Sequence, residues 1–306
     1  MTTAIDLFAG LGGFTEGASL AGVRVLWAAN HAPAAVATHA ANHPDTAHVC
    51  QDLHQADWTQ VPAHDILLAS PCCQGHARAR GKDRPHHDAS RSTAWAVVSA
   101  AECHRPPVCI VENVPEFQAW ALYPAWADAM ARLGYTLAPH TIDAADHGVP
   151  QHRIRLLIIA TRSRAPLRLT LDPLPHRPAR EIIRWDDYAW SPIDRPGRSA
   201  ATLARIKRAR RDLGTDVFLT PYYGSGSGLT GRSLDRPLGT VTTLDRWAII
   251  RGDHMRMLQP TELRAAMGFR DSYILAPTRR TAIHQLGNAV CPPKVARVVA
   301  AIQAAA

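Results

Sequence analysis

No run of eighteen apolar residues occurs in the 306-residue chain, so no stretch is long enough to be read as a membrane-spanning helix. No basic leader or cleavage site precedes the first apolar segment, Ala4-Ile5-Asp6-Leu7-Phe8, and a cytoplasmic location is therefore expected. Cysteine is sparse: there are six, and no two form a C-x-x-C pair. Without an export signal they read as reduced thiols, not as a disulfide framework. His39, His43 and His48 fall at near-helical spacing, yet neither paired cysteines nor H-E-x-x-H accompanies them. They are read as surface or core histidines, and no metal is expected. No internal repeat is visible. Hydrophobic residues make up 46% of the chain, enough for one large core or two unequal lobes and too many for a disordered protein.

The formal charge is +8, which fits a polyanionic partner because clustered Arg and Lys release condensed counterions on binding. A basic total can also be a solubility property, so its distribution matters more. Between Arg162 and Arg211 there are thirteen Lys or Arg against five Asp or Glu, a local surplus of eight. Pro166, Pro173, Pro175, Pro178, Pro192 and Pro196 break any long element in that stretch. A small, separate basic lobe is the expected result. The segment Pro221-Tyr222-Tyr223-Gly224-Ser225-Gly226-Ser227-Gly228 reads as a flexible loop with an aromatic tip.

The first 160 residues alternate short apolar strands with helices. Strands are expected at residues 4–9, 23–28, 65–69, 108–111 and 155–160, and helices at about 15–21, 33–42 and 125–133. This alternation implies an α/β fold: a doubly wound, mostly parallel sheet with its working loops at the carboxyl edge. Helical order returns at 261–267 and in a last helix entered through Pro292-Pro293-Lys294.

Polar motifs fall at that edge. The turn Gly10-Leu11-Gly12-Gly13 follows the first strand and lets backbone approach a ligand, but it lacks the G-x-G-x-x-G spacing of a dinucleotide site. Phe8 beside it is placed to stack on a purine. Ser70-Pro71-Cys72-Cys73-Gln74-Gly75-His76 stands where a strand ends, a setting that suits an activated thiol; buried apolar filler is the alternative for a Cys-Cys pair. Glu112-Asn113-Val114 ends another strand, where a lone Glu is commonly just solvated. In Gln151-His152-Arg153-Ile154-Arg155, two arginines at alternating positions suit an anion or a base edge.

Taken together, these motifs resemble the cytosine-C5 DNA methyltransferases over nearly the whole chain. Asp6 to Phe14 looks like the family's cofactor glycine motif, and Ser70 to Gln74 like its Pro-Cys-Gln loop. Glu112 to Val114 resembles its Glu-Asn-Val, and Gly148 to Arg155 its Gln-x-Arg-x-Arg. Arg236 to Thr242 is similar to the motif supporting the recognition lobe, and Gln285-Leu286-Gly287-Asn288-Ala289-Val290 to the closing motif.

The resemblance implies a Rossmann-like, S-adenosylmethionine-dependent methyltransferase in three parts. Residues 1–164 would form the catalytic and cofactor-binding domain, 165–231 a small target-recognition lobe, and 232–306 a return to the catalytic domain. It further implies that Cys73 attacks C6 of a cytosine flipped out of double-stranded DNA, and that Glu112 holds the N3 and N4 edge. Arg155 and Arg153 would position the base. Phe8, Gly10, Leu11, Gly12, Asn30, His31, Asp52, Leu53, Asn288 and Val290 would bind the cofactor. Arg78, Arg80, Lys82, Arg84 and Arg91, made mobile by Gly75 and Gly81, would close over the base. The protein is expected to act as a monomer. Two positions depart from the family: Cys72 replaces a proline, and Asn30-His31 stands where a Glu usually binds the ribose hydroxyls. A tRNA cytosine methyltransferase shares the catalytic plan; the basic lobe favours DNA. A silent DNA-binding relative is disfavoured by the intact Cys73, Glu112, Arg153, Arg155 and Asn288.

Overall fold

The computed structural model describes residues 1–72, 91–222 and 231–305. Its main sheet has seven strands: β1 (Thr3–Leu7), β2 (Arg24–Asn30), β3 (Ala47–Cys50), β4 (Ile66–Ala69), β5 (Val108–Asn113), β6 (Thr136–Asp143) and β7 (Ile154–Thr161), in the order β3-β2-β1-β4-β5-β7-β6. The first five are parallel, β1 pairing with both β2 and β4; β7 runs antiparallel between β5 and β6. The expected doubly wound, mostly parallel sheet is present.

Alternation along each strand sends neighbouring side chains to opposite faces, and both faces are covered, so these strands read as continuous apolar runs. Ile5, Leu7, Leu67, Leu156 and Ile158 pack on one side with α3 (Trp95–His104) and α4 (Tyr123–Arg132). Ala4, Ile66, Leu68, Leu157 and Ile159 pack on the other with α1 (Gly13–Leu20) and the final helix, α8 (Pro292–Ala305). The helix α2 (Pro33–Asn42) has the expected bounds, with Pro33 at its first turn.

Three local readings differ. The first strand stops at Leu7, not residue 9, because Phe8 takes a left-handed φ of 59° that ends pairing. Strand β3 is a four-residue edge with no inward-outward pattern to reveal it. Strand β6 carries Pro139, which reads as a breaker yet is tolerated at the sheet's other edge.

A second, antiparallel sheet has the order β8-β11-β10-β9, formed by β8 (Ser191–Pro192), β9 (Val217–Pro221), β10 (Trp247–Arg251) and β11 (His254–Met257). Thus one of its long strands precedes residue 231 and the other two follow it. Phe218, Ala248 and Ile250 face α5 (Ala200–Leu213) through Ile206 and Ala209. Leu219, Trp247 and Ile249 face a separate core that includes Leu263 of α6 (Pro260–Ala266) and Leu286 of α7 (Arg279–Asn288). The helix α5 starts on Ser199, whose hydroxyl accepts from Thr202 N, and ends on Gly214 at φ 63°.

A buried ion pair ties this sheet to α6. Arg256 of β11 donates from both terminal nitrogens, at 2.7 Å each, to the carboxylate of Glu262 on α6. That carboxylate also accepts Gln259 N and Arg184 N. So many donors on one buried anion offset its loss of hydration.

Candidate active site

Strands β1, β2, β4 and β5 all point their carboxyl ends the same way, and the loops leaving them surround a cavity of about 260 Å³. Phe8, Gly10 and Leu11 come from the loop after β1, Asn30 and His31 from the end of β2, and Ser70, Pro71 and Cys72 from the end of β4. Glu112 reaches in from β5, and Asn288 and Val290 close the cavity from the end of α7. Eight of the candidate residues proposed from sequence therefore meet around one space. Of the others, Gly12, Asp52, Leu53, Arg153 and Arg155 are not among its described lining. Asp52 is exposed and its Oδ1 accepts His54 N, whereas Leu53 is buried in the core against α3. Cys73, Gln74, Gly75, His76, Arg78, Arg80, Gly81, Lys82 and Arg84 lie outside the described residues, as do Tyr223 to Gly228.

The chain just before Cys73 is held at two points. Asn113 Nδ2 donates to Pro71 O at 3.2 Å, and Cys72 N donates to Thr93 Oγ1 at 3.0 Å. Ser70 adds a hydroxyl bond to Phe8 O at 3.3 Å, so the loop after β4 is tied to the loop after β1.

Close approach explains the glycines. A Cβ at Gly13 would lie 2.0 Å from Val290 O, and one at Gly287 would lie 2.3 Å from Thr242 C, both backbone atoms. The glycine turn and the closing motif therefore touch directly. Gly13→Ala is expected to cost on the order of 1–3 kcal/mol through overpacking, read as a lower midpoint in denaturant unfolding. An unchanged midpoint would mean that the closing segment yields freely.

Beneath the turn lies a polar chain built on histidines that sequence reading gave only as surface or core residues. Thr15 Oγ1 donates to the buried Asp6 at 2.8 Å, so it must accept from His39 Nε2, which leaves His39 Nδ1 to accept from His48 Nε2 at 2.7 Å. Burial pushes His39 down to about 2 and Asp6 up to about 7. Tyr273 Oη donates to Leu11 O at 2.6 Å and is met by His43 Nε2 at 3.0 Å. These histidines hold the turn from below.

The two arginines of Gln-His-Arg-Ile-Arg do different things. Arg153 is buried, and its terminal nitrogens donate to Val241 O at 3.1 Å and Gly287 O at 2.9 Å, joining two distant motifs. Gln151 adds a third tie, accepting Val241 N and donating to Ala266 O. Arg155 instead places Nε 3.6 Å from Glu112 Oε1.

Sequence reading missed Thr281 and His284 and quoted Gln285 only as part of the closing motif; all three line the cavity with Asn288. Their spacing is the available signal: positions i, i+3, i+4 and i+7 share one face of a helix.

The family model for C-5 cytosine-specific DNA methylases matches residues 2–184 and 230–304, most of the chain. The chain belongs to that family. Among curated relatives, this methylase is 33% identical over 165 residues to the type II methyltransferase M.AgeI of Thalassovita gelatinovora, a match covering 50% of this chain and 38% of that protein. It is 27% identical over 322 residues to the type II methyltransferase M.NlaX of Neisseria lactamica, covering 98% and 96% of the two chains. Its fold matches the crystal structure of a mutant DNMT2 from Spodoptera frugiperda with a TM-score of 0.72 at 16% identity, covering 99% of this chain and 100% of that one. The two matched segments of the methylase leave out residues 185–229, which contain α5 and β9.

Proposed function

We propose that this methylase transfers a methyl group to C5 of cytosine in double-stranded DNA, using Cys73 as nucleophile and S-adenosylmethionine as donor. One observation supports this reading most: Cys72, the neighbour of Cys73, shares a cavity wall with Glu112, the glycine turn and Asn288.

The cavity suits the cofactor. Phe8, Leu11, Ala35 and Val290 offer apolar surfaces for a flat purine, and Asn30, Ser70, Gln285 and Asn288 offer dispersed polar groups for a ribose and an amino-acid tail. When bound, S-adenosylmethionine supplies an electrophilic methyl group carried on a sulfonium. Cytosine C5 is a weak nucleophile, so Cys73 first adds its thiolate to C6 and makes C5 enamine-like. Glu112 holds the N3 and N4 edge and stabilises the ring as N3 gains electron density. Methylated C5 then loses its proton, and Cys73 leaves as the C5–C6 double bond reforms. Arg155 holds Glu112 in place. Rotation of the base out of the duplex costs a few kcal/mol, offset by phosphate contacts from the basic segments, including Lys207, Arg208 and Arg211 on the exposed side of α5. Residues 165–231, completed by β10 and β11, serve as the recognition lobe in this proposal.

At the ribose corner, Asn30 Oδ1 already accepts Ala32 N at 2.9 Å, which leaves its amide NH₂ to meet the ligand. A carboxylate there would accept from both ribose hydroxyls through charge-assisted bonds about twice as strong as neutral ones. Asn30→Glu is therefore expected to tighten cofactor binding about tenfold, or about 1.4 kcal/mol, in titration calorimetry. No gain would move the ribose away from Asn30.

The substrate test compares labelled methyl transfer from S-adenosylmethionine to unmethylated duplex DNA and to unmodified tRNA. Label is expected in DNA as 5-methylcytosine. Label confined to tRNA would overturn the DNA assignment.

A further inference from the structure

The closing helix α8 buries a cation behind Glu112. Lys294 is 0% exposed, and its Nζ lies 3.7 Å from Glu112 Oε1. Neither atom has a hydrogen-bond partner among the described residues. The position is unfavourable for a cation in three ways. Burial strips its hydration; it sits in the first turn of α8, where the helix dipole is positive; and Arg153 and Arg155 stand nearby. Among the described residues Glu112 favours its charge, whereas burial pushes the Cys291 thiol up and holds the lysine below its usual range. Among the described residues His147, on the turn Ala144–His147, is a further titratable neighbour. A Met or Leu would fill such a space at lower cost, so the amine is a group whose presence stability does not explain.

We propose that Lys294 is a positioning residue that acts through Glu112, holding the proton this carboxyl group passes to cytosine N3. This rests on the reading of Glu112 given above. As Cys73 bonds to C6, a proton leaves Nζ for the Glu112 carboxylate and the electron pair stays on the amine. The O–H bond of the carboxyl group then breaks as N3–H forms. On elimination of Cys73 the proton returns by the same route, so nothing is consumed. Glu112 can then work at a pH where an isolated carboxyl group would hold no proton.

The test is single-turnover methyl transfer to unmethylated genomic duplex DNA from pH 6 to 9, for the wild type, Lys294→Met, Glu112→Gln and the double variant. Lys294→Met is expected to lose about tenfold in rate at pH 8.5 and less than about threefold at pH 6, where acids in solution are abundant enough to supply the proton instead. In the Glu112→Gln background it should add no pH-dependent loss. Lys294→Gln, neutral and polar, is measured alongside and should give the same pH ratio. A loss uniform across pH in both Lys294 variants, or one that persists in full without Glu112, overturns the proposal and leaves a packing role. If Glu112→Gln itself turns over normally, the Glu112 assignment fails and this inference falls with it.

Discussion

Alanine at position 73 is expected to lower methyl transfer to duplex DNA by about 10,000-fold or more, because the reaction then has no covalent route to activate C5. Cytosine C5 lacks the electron density to attack a methyl sulfonium. Addition at C6 supplies it. Cys72 lines the same wall, but its backbone N–H is held by Thr93, which fixes it at the base of the loop. Cys72→Ala should therefore retain most activity. Cofactor binding does not depend on the sulfur, so S-adenosylmethionine should still raise the thermal midpoint of Cys73→Ala. Rapid filter assays with labelled cofactor check the rate. Residual turnover in Cys73→Ala within tenfold of the wild type would refute the nucleophile assignment.

Glu112→Gln is expected to reduce the maximal rate by about 100- to 10,000-fold with little change in DNA affinity, since acid-base assistance acts in the transition state and not in the encounter. Gln keeps the shape and can still hydrogen-bond to a base edge. What it cannot do is carry a proton to N3 or balance the positive charge of the protonated ring. The surroundings make the carboxylate valuable: it is 7% exposed, with Arg155 Nε at 3.6 Å and Lys294 Nζ at 3.7 Å, both from its Oε1. Comparing the maximal rate with DNA binding by gel shift separates the two effects. A variant that binds DNA poorly but turns over at the normal rate would assign Glu112 to recognition alone.

Much of this arrangement can be read from local patterns. The apolar run before Gly10, the strand ending at Ser70-Pro71 and the strand ending at Glu112-Asn113 each join a periodic segment to a polar edge, and the sheet brings those edges together. The ends of α2 are legible because Pro33 marks its entry. Strand β6 is not, since Pro139 argues against a strand unless the chain is known to lie at an edge. The cavity face of α7 is hidden for another reason. Thr281, His284 and Gln285 are ordinary polar residues until the helix is docked with Asn288 over the glycine turn. Arg153 shows the limit most clearly. Its spacing from Arg155 suggests a shared task, but the carbonyls it holds belong to residues 88 and 134 positions away. Only the folded chain brings them within reach. The histidines at 39, 43 and 48 follow the same rule: in sequence they read as surface or core residues, and their role depends on Thr15, Asp6 and Tyr273.

The most direct test uses duplex DNA synthesised with 5-fluorocytosine in place of cytosine, incubated with S-adenosylmethionine and resolved by denaturing electrophoresis and mass spectrometry. Fluorine at C5 cannot leave as a proton does, so the enzyme should remain bonded to DNA, with the peptide containing Cys73 carrying the methylated pyrimidine. The adduct should persist in Cys72→Ala and vanish in Cys73→Ala. An adduct that survives in Cys73→Ala, or no adduct in the wild type while DNA is being methylated, would contradict the account.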